Sequence, residues 1–223
     1  MARTNPSLFI NRLAETKKMV DGNNILRSKV GSVQTSEGTK AYDEAITFLS
    51  HMKPMSPLEI STPMCDANQS HADDLGQSGK TGHVGSDGSR AAQRLRKHGG
   101  VIAGGGRVSE GIEFGPWTDG SDFVVSLIVG DGEESRTQRK ILMDTSSNAC
   151  GVAVSTHKKF GSVCVVTLAP NCSKIDHQRK NTMQLAQSMS LPSILETAET
   201  NEHQGNLRRN TIHTAANVPI AFN

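Results

Sequence analysis

Two apolar, β-branched runs, residues 150–156 and 162–169, lie five residues apart, and no other feature of the 223-residue chain restricts its fold so tightly. The connection His157-Lys158-Lys159-Phe160-Gly161 ends in glycine, the mark of a hairpin. Both runs are apolar on successive residues rather than alternate ones, so both faces need cover and both strands belong in the middle of a sheet.

Helical spacing recurs upstream. Residues 6–20 carry Leu8, Phe9, Leu13 and Val20 at helical intervals, with Ala14 and Met19 beside them and a stop near Asp21-Gly22. Residues 23–38 are polar and weakly patterned, so 1–38 reads as an N-terminal helix followed by an extended arm. Residues 39–52 repeat the spacing through Ala41, Ala45, Ile46, Phe48 and Leu49, and Pro54 and Pro57 then break it. In residues 64–75, Met64, Ala67, His71, Ala72 and Leu75 share one face. Residues 89–98 start at Ser89 as N-cap and put Ala91, Ala92 and Leu95 inside, leaving Arg90, Arg94, Arg96 and Lys97 as a solvated face. Residues 123–129 resemble a buried strand by composition, while Asp119 or Ser121 would cap a helix in the same place.

Composition excludes several classes. A formal charge of +2 with both signs interspersed argues against a nucleic-acid groove, and 4% aromatic residues against stacking platforms for single strands. The segment Met1-Ala2-Arg3-Thr4-Asn5-Pro6 lacks an apolar core of signal-peptide length, and no later segment approaches a membrane span. The expectation is a cytoplasmic protein unless a leader has been removed. Cys65, Cys150, Cys164 and Cys172 are widely spaced and read as buried small hydrophobes or idle thiols in a reducing compartment. Gly104-Gly105-Gly106 lacks both dinucleotide-binding spacing and a phosphate-binding lysine, and reads as a bend.

One loop stands out chemically. Gly82-His83-Val84-Gly85-Ser86-Asp87-Gly88-Ser89 carries three glycines and an Asp-Gly pair, so it leaves the preceding helix as an irregular turn with His83 fixed on it. A histidine held this way, with acids supplied from farther along, suits a metal or proton-transfer site; the plainer alternative is a histidine bonded to its own loop. His71 is either a second ligand or a core-edge histidine satisfied by backbone.

The order of segments adds to this: His71-Ala72-Asp73-Asp74-Leu75, Gly82-His83, Arg94-Leu95, Ser109-Glu110-Gly111-Ile112, Asp131-Gly132, then Ser135-Arg136-Thr137-Gln138-Arg139 and Gly151-Val152-Ala153-Val154. Over residues 40–169 the set resembles the CAP superfamily (cysteine-rich secretory proteins, antigen 5, pathogenesis-related proteins of type 1), nearest its SCP-like branch with a D-G-x-x-x-R-G-H-R segment. The resemblance implies an α+β fold, a three-layer α-β-α sandwich over residues 39–170 with terminal extensions, 1–38 and 171–223. It favours a helix at residues 123–129.

It also implies a cleft of two histidines and two acids that binds zinc in several members. His83 matches the first histidine, Glu110 the acid of the G-E-N-I motif with Gly111 in place of Asn, and Asp131 the second acid. Gln138 stands where the second histidine belongs. Zinc prefers imidazole, thiolate and carboxylate, and an amide oxygen is a weak donor, so the resemblance implies no tightly bound metal, with His83 the one weak candidate ligand. The expected role is therefore a non-enzymatic interaction or scaffold protein. Its partners would be proteins of a larger cytoskeletal assembly such as an axonemal doublet microtubule, tubulin among them, engaged through the polar arms. The alternative is a CAP-type cleft with metal-dependent hydrolysis or sterol and lipid binding, and a peripheral membrane role has no myristoylation signal or basic amphipathic helix to support it.

Overall fold

The computed structural model describes residues 1–174. Helix α1, Pro6–Lys17, starts where the Asn5 side chain accepts the Leu8 N–H at 3.0 Å, with Pro6 in the first turn. Strands β1, Ile25–Ser28, and β2, Gly31–Gln34, pair as an antiparallel hairpin. Helix α2, Thr39–Ser50, and the two-residue strand β3, Glu59–Ile60, lead into α3, Thr62–Ser78. Then come α4, Ala91–Lys97; β4, Gly100–Ile102; a 3-10 turn, Ala103–Gly105; and β5, Ser109–Gly115. The described part closes with α5, Gly120–Val129; α6, Thr137–Leu142; β6, Ala149–His157; β7, Gly161–Ala169; and β8, Cys172–Lys174.

The main sheet has the order β3-β6-β7-β5, so the two apolar runs are its central, antiparallel strands, with Val152 opposite Val166. β5 flanks β7 antiparallel, and β3 adds to β6 in parallel. Alternation along β7 sends Val163 and Val165 toward Ala72 and Leu75 of α3. It sends Cys164 toward Trp117 and Phe123, and Val166 and Leu168 toward Leu127 of α5. Behind α5, α1 and α2 add Phe9, Leu13, Tyr42, Ala45 and Leu49 to a core with Ile128 and Val129. The result is an α+β fold with the sheet between helical layers.

α3 lies close on β6 because two glycines permit it. A Cβ on Gly151 would collide with the Met64 backbone, and one on Gly76 with the Thr156 carbonyl. α5 settles the strand-or-helix ambiguity of its sequence: Asp119 caps the Ser121 N–H at 2.6 Å, and Gly130, at φ 60°, ends the helix in the left-handed region. Its near-continuous hydrophobicity reflects burial among the sheet, α1 and α2.

Three local expectations are corrected. Residues 23–38 contain the β1–β2 hairpin in place of an extended arm, with Leu26 packed on Trp117 and Phe123. The N-terminal residues are tied to the domain: Arg3 donates to the carbonyls of Leu142 at 2.9 Å, Asp144 at 2.8 Å and Ser147 at 3.1 Å. α4 is capped by Arg90 in place of Ser89, with the Gln93 side chain accepting the Arg90 N–H at 2.8 Å. Most of the expected arm 171–223, with its Val218-Pro219-Ile220-Ala221-Phe222 patch, lies outside the described residues.

Candidate functional site

The loop carrying His83 begins at Gly79, whose φ of 70° terminates α3. From α3, the Asp74 carboxylate accepts the Ser86 N–H at 2.8 Å and its hydroxyl at 2.5 Å, and the hydroxyl holds Asp74 below the usual carboxylate range. From α4, Arg94 donates to the carbonyls of Ser89 at 2.7 Å and His83 at 3.3 Å. The loop is thus clamped between two helices, and His83 projects from it toward β5.

There its Nδ1 meets Glu110 Oε1 at 2.9 Å, while Arg94 Nη2 donates to Glu110 Oε2. Burial pushes the Glu110 carboxyl up, but the His83 hydrogen bond and the Arg94 charge outweigh it and hold the group below its ordinary value. Arg94 and Glu110 are each 5% exposed, so this is a buried ion pair, whereas the His83 side chain is 49% exposed. His71, 1% exposed, donates through Nε2 to the Gly82 carbonyl at 3.1 Å, which leaves its buried Nδ1 without a partner among the described residues. Burial, then the nearby Arg94 charge, pushes His71 down, so the neutral ring serves as a strut for the loop.

Of the four residues matched to the CAP cleft, the structure brings together His83 and Glu110. Asp131 and Gln138 lie on the other side of the sheet, because adjacent residues of β5 face opposite ways: Glu110 looks to α3, Gly111 to α6. Asp131 accepts the N–H groups of Ser36 at 2.6 Å and Glu37 at 2.8 Å, joining the α5–α6 connection to the start of α2. Gln138, on α6, rests over Gly111, where a Cβ would stand 2.7 Å from its Oε1; that buried oxygen has no hydrogen-bond partner among the described residues. The flanking arginines of Ser135-Arg136-Thr137-Gln138-Arg139 are structural. Arg136 donates to Glu37 and Glu44, and Arg139 to the Ile128 carbonyl at 2.5 Å.

In this arrangement one Glu110 oxygen is taken by His83 and the other by a guanidinium whose charge would repel a zinc ion. Sequence reasoning missed Arg94, placed on a solvated face. The available signal was pairwise: Glu110 on a strand between two layers needs a buried cation.

Sequence reasoning also missed a larger feature. A cavity of about 660 Å³ opens between the β1–β2 hairpin, α2, α5 and β5, and Asp131 and Gln138 line it. Its central acid is Glu113, which accepts the Ser126 hydroxyl at 2.7 Å and which burial pushes up to about 7. The Trp117 N–H leans toward this carboxyl without forming a well-aligned hydrogen bond. Burial, then the charges of Asp131, Glu113 and Asp122, pushes the Tyr42 hydroxyl up to about 12. The one visible hint was an acid inside the apolar stretch Gly111-Ile112-Glu113-Phe114.

A family model described as the cysteine-rich secretory protein family, CAP, matches residues 20–168. No curated protein matches the chain significantly. Among solved structures, the chain is similar to an outer surface protein from Borrelia burgdorferi, at 14% identity and a TM-score of 0.41, over 77% of this chain and 96% of that one. It is also similar to an extracellular protein containing a SCP domain from Bacillus anthracis str. Ames, at 16% identity and a TM-score of 0.41, over 59% of this chain and 39% of that one.

Proposed function

The chain belongs to the cysteine-rich secretory protein family, CAP, and from that premise we propose that it works as a non-enzymatic interaction protein whose His83–Glu110 cluster holds a loop in shape without binding a metal tightly or turning over a substrate. One observation carries this reading: each Glu110 oxygen already accepts a hydrogen bond, from His83 and from the buried Arg94, and the side chain is 5% exposed, so the carboxylate is not free to reach a ligand or a water. A general base or metal ligand needs that freedom.

Calorimetric titration of the intact chain with zinc is the direct test. The isotherms of the unchanged protein and of His83→Ala should superimpose. A saturable zinc site that disappears with His83 would overturn the reading.

The finer part of the proposal is that the partners are proteins of a large cytoskeletal assembly, axonemal doublet microtubules with their tubulin among them. Its support is compositional: residues 171–223 carry little periodic apolar content from which to build a core of their own, and so suit contact with other subunits. Among the described residues no helix is long and apolar enough to cross a membrane. Co-sedimentation with assembled microtubules tests this partner: the intact chain should pellet, a chain truncated after residue 174 should stay in the supernatant, and His83→Ala should pellet like the unchanged protein. Failure of the intact chain to pellet would remove the proposed partner.

A further inference from the structure

We propose that the cavity between the β1–β2 hairpin, α2, α5 and β5 binds an organic ammonium ion with an apolar body, an amphiphilic primary amine, whose head is held by Glu113 and Gln138. The inference goes beyond the interaction role and does not depend on it. At about 660 Å³ the cavity falls within the range of roughly 300–1,000 Å³ of small-molecule sites. Leu26, Val33, Trp117 and Val125 make its walls apolar, which suits a hydrocarbon or aromatic body.

The polar groups select the head. Gln138 Oε1 is a buried acceptor without a donor among the described residues, and native proteins rarely leave one so. Glu113 stands two residues along β5 from Gly111, on the same face, and Gln138 rests on Gly111, so the two acceptors are neighbours. Any side chain at position 111 would press on the Gln138 oxygen. Trp117, 6% exposed, turns an otherwise unpartnered N–H toward the Glu113 carboxyl and so favours its charged form. An ammonium head offers three N–H donors, enough for both acceptors at once, whereas a hydroxyl offers one and a carboxylate none.

The field agrees with the donor count. Around the cavity stand Asp119, Asp122, Asp131 and Glu133 against Arg12 and Lys29, and Arg12 is already paired with Asp122 at 2.6 Å. Burial does most to raise the Tyr42 hydroxyl, and the charges of Asp131, Glu113 and Asp122 add to it from the same side. The titratable groups packed against Glu113 are Tyr42 from α2 and Cys164 from β7, both pushed up to about 12, so Glu113 is the group here that changes charge near neutrality.

The chain's single tryptophan lies in the cavity wall, so its fluorescence reads occupancy. The intact chain is titrated at pH 8 with n-octylammonium chloride, 1-octanol and sodium octanoate, which share a tail and differ in the head. Octylammonium should bind saturably and about tenfold or more tighter than the other two. Its affinity should fall about tenfold from pH 8 to pH 6 as Glu113 takes up a proton, since an alkylamine with a pKa near 10 stays charged throughout. Glu113→Gln should remove that pH dependence, and Gln138→Leu should weaken octylammonium alone. Equal binding of the three probes, a preference for octanoate, or an affinity indifferent to pH would overturn the proposal. The pH series on the unchanged chain decides the matter even if a variant misfolds.

Discussion

On the α3 side of β5 the Glu110 carboxylate is buried against Arg94 and His83; three residues on, the Glu113 carboxyl is buried on the opposite face against Ser126 and Trp117. Burial pushes both groups up, yet Glu110 ends below its ordinary value and Glu113 rises to about 7. The difference is the buried guanidinium: Glu110 has a full positive charge in hydrogen-bond contact, Glu113 only neutral donors. Position on a strand therefore says little about what an acid does. The cation that the neighbouring layer supplies decides it, and here it pairs one acid and leaves the other with neutral donors alone.

Removing that cation is the most severe way to break the comparison. Arg94→Met deletes one member of a pair in which each side chain is 5% exposed and leaves Glu110 buried without its countercharge. The expected loss of unfolding free energy at pH 7 is about 3–5 kcal/mol. Adding Glu110→Gln to Arg94→Met should recover part of that loss, since a neutral amide needs no cation. Urea denaturation of the three proteins measures both effects. A single-variant loss below about 1 kcal/mol, the level of an exposed pair, would mean that Arg94 does not balance Glu110 as described.

Most of the scaffold was legible in the residues. The central hairpin and helices α1, α2 and α3 follow from apolar period and from the Pro54 and Pro57 break, since those signals are local. The turn is tighter than the sequence suggested: the strands extend to His157 and from Gly161, because His157 Nδ1 accepts the N–H groups of Lys159 at 3.1 Å and Phe160 at 3.3 Å and caps a three-residue bend. What was not legible depends on partners distant in sequence. Residues 23–38 are too polar to announce a hairpin, and their order comes from Asp131, nearly a hundred positions on, and from Trp117 beneath Leu26.

The cleft residues divide in the same way. His83 and Glu110 follow from motif order, but Gln138 was expected beside them and instead faces Gly111 across the sheet. The two departures from the CAP pattern, Gly111 for Asn and Gln138 for His, are thus in contact: the missing side chain at 111 makes room for the amide. Neither motif position shows this by itself. The pairing becomes visible only when strand alternation puts 110 and 111 on different faces.

Glu113→Gln sharpens the comparison with a smaller effect, confined to one pH range. A carboxyl raised from 4.5 to about 7 keeps its proton in the folded chain where the unfolded chain has released it. Between those values the folded state binds more protons than the unfolded one, so stability falls as pH rises, by roughly 3 kcal/mol over the full interval. Glu110 acts with the opposite sign: its carboxyl is lowered, so its contribution is present above the unfolded value and is lost as pH falls through the folded one. His71, pushed down by burial, adds stability as pH rises toward 6.5 in the unchanged protein and the variant alike, so Glu113 is read from the difference between their two curves, which opens between pH 4.5 and about 7. Glu113→Gln, isosteric with the protonated acid, should remove the decline that Glu113 causes in that interval and leave the acid side intact. Denaturation midpoints from pH 4 to pH 8 give the two curves. Parallel curves would show that Glu113 titrates normally, and the contrast between the two faces of β5 would then rest on Glu110 alone.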